Sequence, residues 1–266
     1  DISAQSLIRT PDGFLTNLSA VVTPDKKGLS TLNFFNPASN TAQQSFMRLI
    51  NSGTEESYIT ISGVDDDGQV APNGDVSLLL AAGQSVELSA KDLEQGNAAL
   101  SIRGSLGVGS GRWRLAVSHN IESQINVMSY VLTSTGFLTN MSEVVGPAST
   151  TNKVWIFNPG SNSNQASKLR VVNIGLSATA VTISGIDDAG NAHPGTDLRF
   201  NLSGGSVKEI TAAEIENGSS EKGLAGGIGD GKGKWRLTVS SDRPVTVQSL
   251  LETPAGFITN LSTSAQ

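Results

Sequence analysis

The chain has 266 residues, a formal net charge of −6 and no cysteine, which excludes disulfides, thiol catalysis and thiolate metal sites. Its 18 Lys and Arg residues are scattered, so a nucleic-acid backbone meets no basic stripe, and no apolar run approaches the length that spans a bilayer. Aromatic content is only 5% and Gly reaches 29 residues, a balance that suits many short strands joined by polar turns.

The length accommodates two domains, each large enough to bury its own core. The chain opens at Asp1 without a signal-peptide pattern, as a mature or excised segment does. The first recognisable element is a short motif at Gly13–Ser19 (GFLTNLS). It returns at Gly136–Ser142 (GFLTNMS) and at Gly256–Ser262 (GFITNLS). Between these copies lie two long bodies. Leu29–Ser118 aligns with Thr151–Ser240 without a gap, with about 34 of 90 positions identical. The fixed points are Phe35-Asn36-Pro37 with Phe157-Asn158-Pro159, Thr60-Ile61-Ser62-Gly63 with Thr182-Ile183-Ser184-Gly185, and Trp113-Arg114-Leu115 with Trp235-Arg236-Leu237. The chain is a duplication.

Along each body, five- to eight-residue apolar or alternating segments stand between Gly, Asn, Asp and Pro clusters. Ser57–Val64, Asp75–Leu80 and Arg112–Ser118, with Ala180–Ile186, Leu198–Leu202 and Lys234–Ser240, are predicted strands. One short helix interrupts each body. Ser89 with Asp92, and Thr211 with Glu214, have capping-box spacing, and Gly96 and Gly218 stand where a terminal glycine ends the helix. The expectation is an all-β protein of two tandem antiparallel β-sandwich (Ig-like) domains, with seven or eight strands and one short helix each. Residues 1–22 form an extra copy of the closing-strand motif, 23–145 the first repeat and 146–266 the second. Two bodies need only two closing motifs, so the first copy is surplus. It reads as the tail of an upstream repeat, a strand completing the first sheet, or an assembly strand that pairs between molecules through Gly13, Phe14, Leu15 and Asn17.

Site candidates follow from residue type. Asp65 and Asp66, with Asp187 and Asp188, are acidic turns that could hold Ca²⁺; Asp-x-Gly is equally an ordinary hairpin turn. Asp75 and Asp197 recur nearby. Trp113 and Trp235 share a strand face with Leu and Val and belong to the core. Trp155 has Asn33 as its counterpart, so the shared core does not require it and it is the candidate ligand platform. Tyr58 and Tyr130 are also unmatched. Arg48 with Arg170, and Arg114 with Arg236, recur in register; a guanidinium fork suits acidic polysaccharide, or a structural pair with Glu87 and Glu209 or Glu94 and Glu216. The stretches Gly104–Gly111 and Gly226–Gly233 read as flexible loops, because a strand follows where a phosphate loop needs a helix. His119 and His193 are not equivalent, and no nucleophile elbow is present. No enzyme is expected. The threefold Asn17, Asn140 and Asn260 read as structural residues bonding local backbone.

The Trp-Arg-Leu strand, a strand such as Val247–Leu251 and the closing Gly256–Ser262 resemble a repeat of secreted and surface multidomain proteins of marine proteobacteria, and more loosely bacterial immunoglobulin-like sandwiches. The resemblance implies a secreted or surface-bound bacterial protein and carries over no binding residues. The expected function is a non-catalytic structural or adhesive module: a spacer, matrix or assembly subunit that meets polysaccharide, surface protein or itself. The alternative is a carbohydrate-binding appendage of a secreted polysaccharide-degrading enzyme.

Overall fold

A computed structural model of the chain describes residues 6–9, 15–18, 22, 28–120, 123–142 and 148–262. Gly13 and Phe14 of the first motif lie outside this set, as do residues 23 and 145–146 where the repeat boundaries were drawn. The fold is all-β with few helical residues, and it divides into two compact units, Asp1–Val144 and Val145–Gln266.

Unit 1 contains β1 (Leu7–Arg9), β2 (Leu15–Asn17), β3 (Leu29–Phe35), β4 (Gln43–Asn51), β5 (Ser57–Val64), β6 (Val76–Leu80), β7 (Ser85–Ser89), α1 (Ala90–Gln95), β8 (Trp113–His119), β9 (Ile125–Thr133) and β10 (Leu138–Asn140). Two antiparallel sheets run in the orders β10-β9-β4-β7 and β3-β8-β5-β6, and among the described residues β1 pairs with β2 alone. Burial along β4 and β9 alternates residue by residue, the signature of a pleated strand with one face turned inward. Those inner faces meet: Met47, Leu49 and Val127 of one sheet share a core with Ile59, Ile61 and Val117 of the other. Each of these aliphatic side chains contributes about 1.5–3 kcal/mol on burial.

Unit 2 contains β11 (Ser149–Phe157), β12 (Ala166–Val172), β13 (Thr179–Asp187), β14 (Thr196–Leu202), β15 (Val207–Thr211), α2 (Ala212–Asn217), β16 (Ala225–Gly227), β17 (Trp235–Glu252) and β18 (Ile258–Asn260). One continuous strand, β17, replaces β8 and β9. Its first half pairs with β11 and β13, its second with β12 and β18. The cause lies in the chain length between fixed points. Trp113 and Trp235 stand 122 residues apart but Gly136 and Gly256 only 120, so unit 1 has two extra residues at the crossing and its strand breaks there. Pro244, which has no N–H to give to a ladder, falls in the unpaired stretch between Ser241 and Val245.

The short helices carry the predicted capping boxes, with Ser89 and Thr211 each reciprocated by Asp92 and Glu214. Their last turns present Glu94 and Glu216, both buried. Glu94 Oε1 accepts the indole N–H of Trp113 at 2.9 Å and the Ala38 N–H at 3.2 Å. Glu216 accepts from Trp235 Nε1 at 2.9 Å through one oxygen and from the Gly160 N–H at 3.0 Å through the other. These acids hold tryptophans; the recurrent arginines Arg48 and Arg170 face Glu87 and Glu209 instead, at 4.0 and 3.3 Å. Each indole lies between glycines. A Cβ at Gly185 would stand 2.9 Å from Trp235 Cε3, and one at Gly231 only 2.4 Å from its Cη2. Gly63 and Gly109 approach Trp113 in the same way.

Glu216→Ala leaves the buried indole N–H of Trp235 without an acceptor and frees the part-buried Gly160 N–H, and is expected to lower the unfolding free energy of its unit by about 1–3 kcal/mol. Glu216→Gln keeps one acceptor oxygen and loses less. Urea unfolding followed by tryptophan fluorescence measures both, and equal losses would assign the effect to packing instead of to the acceptor oxygens.

Candidate functional site

The acidic turns leave β5 and β13. Gly68 and Gly190 adopt φ of +82° and +84°, the left-handed backbone for which such a turn selects glycine. Asp65 accepts from the N–H groups of Asp67 (3.1 Å), Gln69 (2.8 Å) and Ser110 (2.9 Å), and Asp66 from that of Arg112 (2.9 Å). In unit 2, Asp187 accepts from Asn191 N–H (2.8 Å) and Lys232 N–H (3.0 Å), and Asp188 from Lys234 N–H (2.8 Å). The carboxylates therefore clasp the glycine-rich loops, which read as flexible in sequence. Each loop and the residue after it give two N–H bonds to these carboxylates, and further backbone bonds tie Leu106 and Gly107, or Ile228 and Gly229, to the helix. Among the described residues no group of three His, Asp or Glu side chains converges as a metal site. Asp197 accepts from Arg199 at 3.3 Å and meets His193 Nε2 at 3.1 Å. His119 Nδ1 meets the Asn120 carbonyl at 2.8 Å.

Exposed aromatic surface occurs where the repeats differ. On β11 the register with β17 shifts between Val154 and Phe157, opposite Arg236. Trp155 and Ile156 are thereby both turned outward, each 49% exposed. Arg236 is itself exposed and pairs across to Ile186 on β13, so the bulge, an arginine and an exposed isoleucine form one row across three strands. Unit 1 closes the same spot. Phe34 stands where Ile156 does and is buried, with the Arg112 guanidinium 4.6 Å from its ring centroid; unit 2 has Lys234 in place of Arg112.

A second patch, which sequence reading did not assemble, lies on unit 1. Tyr58 and Leu79 are direct partners across β5 and β6 and are 59% and 52% exposed. With Ser101 and Arg103 they line an open groove of about 590 Å³. Their counterparts are Ala180, Asn201 and Ala225, which carry neither a ring nor a charge. The available signal was that three positions brought together by the strand register all differ between the repeats. Tyr130, the other unmatched tyrosine, is engaged: it stacks on Phe46 and donates to Glu87, and burial with that hydrogen bond pushes its hydroxyl far above the usual phenol range.

The surplus motif is built like its siblings. The match reaches beyond the seven motif residues, since Ser6, Leu7, Thr10 and Pro11 correspond to Ser249, Leu250, Thr253 and Pro254. Registers agree: Leu7↔Asn17, Tyr130↔Asn140 and Leu250↔Asn260 are the same pair in three hairpins. So do the closing bonds, from the N–H groups of Leu18, Met141 and Leu261 to the carbonyls of Ser6, Ser129 and Ser249, all at 2.8 Å. Asn140 and Asn260 accept from the N–H groups of Ser142 and Ser262, the local role expected of the motif asparagine. The hairpins differ at one edge. There β9 and β17 receive β4 and β12, whereas among the described residues β1 is paired with β2 alone.

No protein-family model matches the chain, and no curated protein matches it either. Among solved structures, the PBSX exported protein XepA is 10% identical over 93% of this chain and 95% of that one, with a TM-score of 0.25. A beta-glucuronidase of Bacteroides uniformis is 11% identical over 94% of this chain and 28% of that one, at 0.19, and a putative beta-galactosidase from Bacteroides fragilis 10% over 90% and 31%, at 0.18. The chain thus spans under a third of either glycosidase, and scores this low carry nothing over to it. Among the described residues no helix is long and apolar enough to cross a membrane.

Three acids report on acid stability. The Asn191 N–H, then that of Lys232, hold Asp187 below the usual carboxylate range. Burial pushes Asp92 up, but hydrogen bonds from Ser89 and Asn97 outweigh it and the net shift is downward. Glu214 is likewise raised by burial and lowered further by Lys222 and Thr211. A carboxyl whose folded pKa is depressed contributes stability above its unfolded pKa and loses it as pH falls through the folded value. Stability is therefore expected to hold from neutral pH to about 5 and to fall below about pH 4. Denaturant midpoints across this range test it, and Asp187→Asn should flatten the acid limb.

Proposed function

We propose that this chain is a non-catalytic structural or adhesive module of a secreted or surface-exposed bacterial protein, built of two tandem immunoglobulin-like β-sandwich repeats. The observation that carries the reading is the third closing hairpin, which shares its register with the other two and lies along β10 within unit 1. A closing hairpin packed on the hairpin of the next repeat is what a stackable array uses. The groups that recur in register support it as well. Glu94, Glu216, Asp65 and Asp187 are all committed to tryptophan or backbone donors, so the repeated ionisable residues serve the fold. In this reading the acidic turns brace the glycine-rich loops and hold no Ca²⁺. The isolated chain is expected to turn over nothing in a panel of glycoside, ester and peptide substrates, and chelator is expected to leave its melting temperature unchanged. Turnover would sink the reading, and a chelator-dependent drop would assign Asp65, Asp66, Asp187 and Asp188 to Ca²⁺.

The second reading, a carbohydrate-binding appendage, is favoured by the two patches that pair an exposed aromatic with an exposed arginine. Tyr58 with Arg103 and Trp155 with Arg236 would offer a ring face to a pyranose and a guanidinium to an acidic substituent. Under this reading the chain is retained on immobilised acidic polysaccharide, and Trp155→Ala or Tyr58→Ala weakens retention by roughly ten-fold, the loss of about 1.4 kcal/mol. Retention unchanged in the double variant would remove it.

A further inference from the structure

On the outer face of β5 and β6, unit 1 carries four residues that unit 2 replaces. Tyr58, Leu79, Ser101 and Arg103 stand where Ala180, Asn201, Gly223 and Ala225 stand. Strand register assembles them. Tyr58 pairs with Leu79 across the ladder. Two residues before Leu79, Ser77 exchanges both backbone bonds with Arg103, each at 2.8 Å. Side chains two apart on a strand share a face, and so do side chains directly opposite in a ladder. Tyr58 and Arg103 therefore project from one face, two ladder steps apart, with Cα atoms about 12 Å from each other at ordinary strand spacing. The groove they line, about 590 Å³, also takes in Leu79 and Ser101.

Ser101 has a backbone that the fold does not ask of a serine. It ends the short 3-10 turn Ala98–Leu100 with φ of +58°, and among the described residues it is the one non-glycine at positive φ. The sibling turn of unit 2 closes on Gly223 at +66°, the residue which that conformation favours. Serine here is strained, yet its hydroxyl makes no hydrogen bond among the described residues. The Tyr58 hydroxyl and the Arg103 guanidinium make none either. Three polar side chains thus meet in an open groove without serving the fold, and one of them is held there against its backbone preference.

We infer that this groove is the glycan site and that its ligand is a pyranose bearing a carboxylate, a hexuronic acid unit of an oligosaccharide. This rests on the carbohydrate-binding reading and goes further, by placing the site in unit 1 instead of at Trp155 and by giving Ser101 a role. Tyr58 and Leu79 supply an apolar bed for the sugar ring. Arg103 meets the carboxylate with two parallel N–H donors, the planar match a guanidinium offers. The Ser101 hydroxyl bonds a hydroxyl of the same sugar. A net charge of −6 gives the chain no general attraction for an anionic polymer, so recognition falls to this local cation.

Titration calorimetry of the full chain tests the assignment with short oligomers of galacturonic acid, against neutral galactose oligomers of equal length. The uronate is expected to bind roughly ten-fold more tightly than the neutral sugar. Arg103→Gln keeps much of the side chain's reach but removes its charge; it should lower uronate affinity roughly ten-fold and leave the neutral sugar unaffected. Ser101→Gly should leave the chain at least as stable to heat, since glycine suits that backbone, and still weaken uronate binding roughly five-fold. A purely structural serine would not separate the two readouts. Uronate affinity unchanged in both variants but lost in Trp155→Ala overturns the inference and leaves the carbohydrate reading standing. Binding of no oligomer and retention on no polysaccharide overturn both. Tighter binding of sulfated galactose oligomers overturns the carboxylate assignment.

Discussion

In each unit a carboxylate reaches from the last turn of a six-residue helix and accepts the N–H of a buried tryptophan: Glu94 for Trp113, Glu216 for Trp235. An isolated charge at that depth would cost several kcal/mol. Here the same carboxylate also takes the backbone N–H of the turn after β3 or β11, so helix, turn and strand are joined at one point. The indole, once held, dictates its surroundings. Glycine must lie at 63 and 109, or 185 and 231, because a Cβ would meet the ring. The glycine-rich loop then passes over the indole, and the acidic turn clasps it. Four separated segments of each repeat converge on one ring.

That convergence explains which features recur and which do not. Residues tied to the tryptophan appear in both repeats, since each unit must solve the same packing problem. The outer faces are free of it, and there the units part company. Unit 1 buries Phe34 beneath Arg112 but opens the Tyr58 groove; unit 2 uncovers Trp155 and Ile156. Binding specificity in a duplicated scaffold resides in such differences, because the shared positions are already occupied by the fold.

The third hairpin follows another logic. A short two-stranded hairpin is marginal in water by itself, and this one gains support by lying along β10.

Much of this was legible in the residues alone. The ungapped duplication, the period-two strands, the capping boxes and the core placement of Trp113 and Trp235 depend on local spacing, and local spacing is what a sequence states directly. Trp155 stood out because it lacked a counterpart. What sequence could not decide were meetings between residues far apart in the chain. Glu94 and Glu216 were candidates for arginine until the helix was seen to aim them at tryptophan. The glycine-rich stretches looked mobile because their restraints, the Asp65 and Asp187 carboxylates, lie more than forty residues away. Tyr58, Leu79 and Arg103 became one surface only through strand register. Sequence by itself determined the elements and the repeat; the tertiary structure alone decided which charges are spent on the fold and which reach solvent, because desolvation and hydrogen bonding act on neighbours in space.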